Sequence, residues 1–275
     1  MVDRYAVIGN PILHSKSPHI HTAFAKQAGQ NISYEAVLAP LVGFAATVKN
    51  LIAQGYKGVN VTVPFKLEAF ALCDALTERA EAAGAVNTLT FENGKIKGDN
   101  TDGAGLVSDI THNLGIALQG AQILVLGAGG AAQGVLLPLM EAQPASITIA
   151  NRSLEKAHFM IQKLIVQKMA AQNAVCNITV SNYENLHGQF DVIINATSAG
   201  LSDTALPIPN TIFAKNCLAY DMMYGRETPF MAQARAAGAQ VTDGLGMLVE
   251  QAAEAFYIWR GVRPQTAPVI AMMRN

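Results

Sequence analysis

The chain carries little charge. Only 14% of its 275 residues are Asp, Glu, Lys or Arg, and 19 basic residues stand against 20 acidic ones, a formal net charge of −1. That balance cannot build the basic face that nucleic-acid phosphates require, nor a polybasic membrane anchor. Cysteine is scarce: Cys73, Cys176 and Cys217 are odd in number, far apart and without CxxC spacing. A disulfide framework and a metal site are therefore not expected, and a reducing, cytoplasmic setting is. No signal peptide is expected, because Met1-Val2-Asp3-Arg4 runs straight into a strand-like segment. Residues 110–140 lack Asp, Glu, Lys and Arg, but three glutamines, the glycines at 127, 129 and 130, and Pro138 interrupt them. A membrane-spanning helix is not expected there. What the chain has in quantity is apolar mass, 51% of residues. This excludes disorder, and the length suits two domains of ordinary size.

The first hundred residues alternate. Apolar, β-branched runs over 5–9, 34–38 and 58–63 read as strands. Helices are expected between them, one opened by Ser17 as N-cap with Pro18 and stopped by Gly29, the other over 44–54 and stopped by Gly55. Strand, helix, strand, helix, strand is the rhythm of an α/β sheet. After a polar turn at 98–102 a second series begins. A linking helix is expected over 103–114, strands at 123–126, 147–150, 190–195 and 217–220, and helices over 153–172, 229–237, 245–259 and 267–274. No short-period repeat or Ser/Gly linker marks the domain boundary, which the motifs place near Asp102.

The strongest local motif is strand, glycine turn, helix. Gly127, Gly129 and Ala132 satisfy G-x-G-x-x-A between the 123–126 strand and the helix running to 140. Glycines there permit a tight turn and let backbone N–H groups approach a pyrophosphate at the helix start. An NAD site would place a carboxylate after the next strand, to accept from the ribose hydroxyl. Here Asn151-Arg152-Ser153 stands there instead, and the first carboxylate is Glu155. Arg152 suits a 2′-phosphate, with Ser153 and Lys156 assisting, which points to NADP. The plainer reading is a helix start with Ser153 as N-cap and Arg152 solvated.

In the first half, Lys66 follows a strand end and Asp102 opens the linking helix. Carboxyl ends of strands are where open α/β sheets bind ligands, and a carboxylate that orients an ammonium makes a proton-transfer unit. Spacing alone leaves Lys66 equally a solvated helix-start residue and Asp102 an N-cap. Ser15 and Ser17 offer two hydroxyls on one side of a turn. His14, His19 and His21 have no acidic partner at metal-ligand spacing and read as structural or surface residues, and Trp259 as core.

Eight motifs then occur in one order: Gly9-Asn-Pro-Ile with His14-Ser-Lys-Ser-Pro18, Asn60-Val-Thr-Val-Pro-Phe-Lys66, Gly84-Ala-Val-Asn-Thr88, Gly98-Asp-Asn-Thr-Asp102, Gly127-Ala-Gly-Gly-Ala131, Asn195-Ala-Thr-Ser198, Tyr220-Asp-Met222, and Asp243-Gly-Leu-Gly-Met247 with Gln251. With these the chain resembles the shikimate dehydrogenases over essentially its full length. The resemblance implies an N-terminal α/β substrate domain, residues 1–102 completed by C-terminal helices within 238–275, and a Rossmann-like NADP-binding domain over 103–237. It implies NADPH-dependent reduction of 3-dehydroshikimate to shikimate, on the way to chorismate and the aromatic amino acids. Lys66 and Asp102 become the catalytic pair. Ser15, Ser17, Thr62, Asn87, Tyr224 and Gln251 would hold the substrate. Gly127, Ala128, Gly129, Gly130, Ala131, Asn151, Arg152, Ser153, Lys156, Thr197, Met222 and Gly244 would line the cofactor. A monomer or homodimer is implied. Thr22 and Ser153 stand where Asn and Thr are usual, and Ser keeps the hydroxyl. The rivals are a quinate/shikimate dehydrogenase preferring NAD, whose loop tends to carry an acidic residue where Ser153-Leu154 has none, and a non-catalytic shikimate-binding module, against which Lys66, Asp102 and the glycine turn all stand.

Overall fold

A computed structural model describes residues 2–170, 176–199 and 203–274. They divide into two units, Met1–Gly105 with Leu248–Asn275, and Leu106–Met247. The return to the first unit comes beyond the 238 expected, because a late strand still pairs within the second unit.

The first unit is built on a mixed sheet. Strands β1 (Asp3–Gly9), β2 (Ile32–Leu38) and β3 (Tyr56–Val61) are parallel, joined by helices α1 (Ser17–Gln27) and α2 (Phe44–Ala53). A short helix α3 (Lys66–Leu72), a two-residue strand β4 (Ala75–Leu76) and helix α4 (Glu78–Ala83) follow. The sheet is then extended by an antiparallel hairpin, β5 (Thr88–Glu92) and β6 (Lys95–Asp99), giving the order β2-β1-β3-β5-β6-β4. Asn93 and Gly94 turn the hairpin with φ of +52° and +73°, the left-handed pair that a two-residue turn needs.

Helix α5 (Asp102–Ser108) leads into the second unit. It passes into a π-helical turn, Asp109–Asn113, where a single α-helix to residue 114 is expected from the sequence. Six parallel strands follow: β7 (Gln122–Leu126), β8 (Ser146–Ala150), β9 (Asn177–Ser181), β10 (Phe190–Asn195), β11 (Phe213–Asp221) and β12 (Gln240–Thr242). Their order, β12-β11-β10-β7-β8-β9, is that of the doubly wound dinucleotide-binding sheet. Helix α6 (Gly130–Glu141) follows β7, α7 (Leu154–Ala170) follows β8, and α8 (Pro229–Ala236) precedes β12. The expected end of the α7 helix at 171–172 lies outside the described residues. Among the described residues no helix is long and apolar enough to cross a membrane.

Helix α9 (Leu245–Arg260) begins in the second unit and ends in the first, where α10 (Ala267–Arg274) follows it. Its apolar face explains the return. Val249, Ala252, Ala253 and Phe256 bury themselves against Ile20, Phe24 and Ala25 of α1, and a fully buried Phe or Ile stabilises by about 1.5–3 kcal/mol. Trp259 Nε1 donates to Leu89 O at 3.2 Å, and Gly58 lies so close beneath that a Cβ there would meet the indole at 2.5 Å.

His21 on α1 is fully buried, and neither ring nitrogen has a partner at good hydrogen-bond geometry, Asn60 being a polar side chain near it. It stacks on Tyr34 at 4.1 Å, with interplanar angle 5°. Burial drives its pKa down to about 3, so the folded state holds it neutral while the unfolded chain protonates it near its ordinary value. Its share of stability is complete above the unfolded pKa and is lost as the pH falls from about 6.5 toward about 3. We expect His21→Phe to remove up to about 1.4 kcal/mol per pH unit from the acid slope of stability, measured by denaturant titration between those limits. An unchanged slope would show that His21 titrates normally in the folded state.

Candidate active site

In the first unit the end of β3 and the end of the β5–β6 hairpin come together, and this sets the geometry. β3 ends at Val61, two residues short of the 63 expected, and a turn over 63–65 that includes Pro64 leads into α3 at Lys66. The hairpin returns the chain at Asp99, and Asn100 Oδ1 accepts from the Asp102 N–H at 3.1 Å, pinning the first residue of α5. Lys66 Nζ then lies 2.5 Å from Asp102 Oδ2, with the two side chains 31% and 21% exposed. This is a half-sheltered pair, open enough to reach a ligand.

The other carboxylate oxygen is held as well. Asn87 Nδ2 donates to Asp102 Oδ1 at 2.7 Å and to Thr101 Oγ1 at 3.0 Å. Asn87 Oδ1 accepts from the Thr101 N–H at 2.9 Å. Gln251 on α9 joins the group: its Oε1 lies 3.4 Å from Thr101 Oγ1 and 3.5 Å from Asn87 Nδ2, while its Nε2 donates to Leu248 O at 2.7 Å. It gets there because Gly105 lets α5 and α9 touch; a Cβ at Gly105 would meet Gln251 N at 2.6 Å. Lys66, Asp102, Asn87 and Gln251 are thus one connected group.

Ser15 and Ser17 adjoin each other differently from the sequence expectation. Ser17 is the first residue of α1 rather than its cap; Ser15 Oγ accepts from the Ser17 N–H at 3.3 Å. This frees the Ser17 hydroxyl from capping. Thr62 follows β3 and packs on Gly9, where a Cβ would meet its methyl at 2.5 Å. Thr101 and Asn60, both buried, are members of this network that the sequence reading passed over. Asn60 could have been noticed, since a polar residue inside an otherwise buried strand needs partners.

In the second unit the ends of β7 and β10 are neighbours at the point where the strand order reverses, the usual ligand position of this sheet. Gly127 there has φ of +105°, and a Cβ would come within 3.1 Å of Thr197 Cγ2. Thr197 is fixed by Oγ1 donating to Asn195 Oδ1 at 2.7 Å. Asn195 O accepts from the Met222 N–H at 3.1 Å, and Gly244 lies against Met222, whose carbonyl a Cβ would meet at 2.3 Å. The glycine turn fits a dinucleotide pyrophosphate. A Cβ at Gly129 or Gly130 meets nothing within 4 Å, and Gly129 caps α6 with no side chain, so the first amides of this helix are open to an anion. Ala128 and Ala131 flank them, half-buried and exposed.

Beyond the turn lies a pocket of about 320 Å³ lined by Ala128, Gln133, Glu155, Lys156, Phe159 and Met160. Asn151 Nδ2 donates to Ser153 O at 2.8 Å, and Ser153 Oγ accepts from the Lys156 N–H at 3.5 Å, a helix cap. Arg152 is exposed, and its charge is felt at Tyr183; it does not line this pocket, whereas Lys156 does. Tyr224 follows β11 in the second unit, and partial burial raises its phenol pKa. Among the described residues no three His, Cys, Asp or Glu side chains are grouped to hold a metal ion.

The sequence matches three family profiles: residues 7–89 a shikimate dehydrogenase substrate binding domain, 109–202 a shikimate / quinate 5-dehydrogenase, and 244–273 a shikimate 5'-dehydrogenase C-terminal domain. A curated shikimate dehydrogenase (NADP(+)) from Methylobacillus flagellatus is 58% identical, over 99% of each chain. Among solved structures, an Ael1 enzyme from Pseudomonas putida superposes with TM-score 0.90 at 46% identity, over 98% of this chain and 97% of that one. The shikimate 5-dehydrogenase of Thermus thermophilus, solved with NADP(H) and shikimate, gives 0.85 at 32% identity, over 100% and 99%.

Proposed function

We infer that this chain, which belongs to the shikimate dehydrogenase family, is an NADP-dependent oxidoreductase interconverting 3-dehydroshikimate and shikimate, a step toward chorismate and the aromatic amino acids. The observation that carries the reading is the Lys66–Asp102 pair, 2.5 Å apart and fixed from behind by Asn87. Bound NADPH supplies the hydride that reduces the ketone carbon. Lys66 is placed to donate its proton to the carbonyl oxygen and to stabilise the developing alkoxide. Asp102 holds the ammonium in register, and solvent returns the proton. Asn87 and Gln251 present amides to the substrate hydroxyls, and Ser15, Ser17 and Thr62 present hydroxyls to its carboxylate and ring; Tyr224 is a further substrate-binding residue in this reading. Gly127 to Ala131 bind the pyrophosphate, Thr197, Met222 and Gly244 support the nicotinamide end, and Asn151, Arg152, Ser153 and Lys156 read the 2′-phosphate. The first domain is residues 1–102, closed by the C-terminal helices. The three cysteines, all free, support a cytoplasmic protein, and a monomer or homodimer is our reading of its assembly.

Purified protein mixed with 3-dehydroshikimate should consume NADPH much faster than NADH, followed by loss of reduced-nicotinamide absorbance. Turnover with neither cofactor would refute the reaction; faster turnover with NADH would refute the cofactor. Arg152→Ala tests the phosphate contact. Charge-assisted hydrogen bonds are worth about 1.5–3 kcal/mol each, so NADPH binding should weaken roughly 10- to 100-fold while NADH binding changes little. Equal loss for both would mean that Arg152 supports the loop or stacks on the adenine, leaving Lys156 as the phosphate reader.

A further inference from the structure

Behind the candidate catalytic pair runs a line of buried polar groups, of which the proposed reaction uses only the last, Asn87. It starts at Tyr34 on β2, whose ring is held flat by the buried imidazole of His21. Tyr34 Oη donates to Asn60 Oδ1 at 2.7 Å. The amide nitrogen of Asn60 points the other way, to Asn87 O at 3.2 Å and Thr88 Oγ1 at 3.1 Å. Having accepted that hydrogen, the Thr88 hydroxyl donates its own to Asn87 Oδ1 at 2.9 Å. With Thr88 and the Thr101 N–H both on its oxygen, Asn87 presents its nitrogen to Asp102. Tyr34 also reaches the Ser17 side chain, so one hydroxyl touches both the serine turn and the amide line.

Every group in the line is paired, and Asn60, Asn87 and Thr88 are at most 7% exposed. In such surroundings an orphaned acceptor has no water to turn to and must rotate toward another partner. If the Tyr34 hydroxyl is removed, Asn60 Oδ1 is the orphan. A rotation of Asn60 releases Thr88, and Thr88 releases one of the donors that fix the Asn87 amide, leaving it to the N–H and hydroxyl of Thr101.

We propose that the Tyr34 hydroxyl is a positioning group for this site, acting through Asn60 and Thr88 to set the Asn87 amide that holds Asp102. This rests on the reading of Lys66 and Asp102 as the catalytic pair. Tyr34→Phe should lower kcat and raise the KM for 3-dehydroshikimate, together about three- to thirty-fold in kcat/KM, the worth of one hydrogen bond of this kind. The KM for NADPH should not move. A purely structural loss would reduce the active fraction, lowering kcat with both KM values unchanged. Tyr56→Phe is the control: its hydroxyl bonds Arg4 and Glu35, away from this line, and its kinetics should match the wild type.

The sharper test is the cycle with Asn87→Ala. An effect carried through Asn87 disappears once Asn87 is gone, so Tyr34→Phe should cost clearly less kcat/KM in the Asn87→Ala background than in the wild type, and what is left measures its contact with Ser17. Thr88→Val interrupts the same line and should reproduce the Tyr34→Phe pattern, which covers the case in which Tyr34→Phe fails to fold. The proposal is overturned if Tyr34→Phe behaves like Tyr56→Phe, if its loss adds fully to that of Asn87→Ala, or if Thr88→Val leaves the kinetics at wild-type values. A wild-type protein without shikimate dehydrogenase activity would overturn the underlying reading instead.

Discussion

Lys66→Ala is expected to lower kcat by about 10²–10⁴, the usual worth of a positioned acid or base, while leaving the protein folded and shikimate and NADPH bound. The structure says why the fold should survive. Lys66 and Asp102 are 31% and 21% exposed, and partly exposed ion pairs contribute only about 0–1 kcal/mol to stability. Lys66 also sits at the start of a helix, where alanine is well tolerated. Asp102→Asn should fall in the same range of kcat. The pair acts as a unit, so the double variant should lose little more than either single one. Steady-state kinetics with direct measurement of ligand binding settles the matter. A double loss equal to the product of the single losses would mean that the two groups contribute independently, and a collapse of shikimate binding in Lys66→Ala would make Lys66 a binding residue.

Gly246→Ala should be among the most destabilising single-methyl changes in the chain. A Cβ there would lie 2.0 Å from Asp109 Oδ1 and 2.2 Å from its Cγ. The carboxylate has no room to retreat: Asp109 is 3% exposed, Tyr220 Oη donates to it at 2.6 Å and Asn113 Nδ2 at 2.9 Å. Burial, and after it the neighbouring carboxylate, push the Tyr220 phenol pKa far up, so its proton stays in this bond. The same hydroxyl accepts from the Met247 N–H at 3.2 Å. Overpacking costs about 1–3 kcal/mol, and displacing a buried carboxylate from its donors adds to that. We expect a loss of about 3 kcal/mol or more and a fall in Tm of roughly 6–12 °C, read by thermal unfolding. A Tm within a degree or two of wild type would show that the π-helical turn carrying Asp109 can shift freely.

The sequence is most legible where one physical requirement dominates. Buried strands and glycine stops in the first unit, and the strand–turn–helix at Gly127, follow from apolar runs and from a φ that only glycine adopts easily. The hairpin Thr88–Asp99 escapes the sequence reading although Asn93-Gly94 is the strongest short-range hairpin signal there is; its strands carry Glu92, Lys95 and Lys97, and these charges hide the β pattern. Strands β9 and β12 escape it too. Each is polar and only partly buried along most of its length, so no apolar run announces it. Lys66 and Asp102 are visible as residues, but their meeting is not, because the hairpin lying between them in the chain brings Asp102 back to the end of β3. Gly105 and Gly246 are ordinary glycines in the sequence. Their necessity lies in what they touch, Gln251 in one case and Asp109 in the other, and no pattern of neighbours along the chain encodes that.

The first unit is interrupted, and a ribosome would make its parts out of order. Residues up to Gly105 emerge first, then the whole of the second unit, and only afterwards Leu248–Asn275. At about 5–20 residues per second the wait is roughly 7–28 s. Meanwhile the side of α1 bearing Ile20 and Phe24 lacks Phe256 and Val249, Gly58 has no Trp259 above it, and Arg79 lacks Glu254, its partner at 3.0 Å. The second unit needs nothing beyond Met247 to close its sheet. It is therefore the part able to fold while translation continues, and the substrate half matures last, when Gln251 arrives beside Asn87 and Thr101. A nascent chain arrested before residue 248 should hold a dinucleotide before it can hold a substrate.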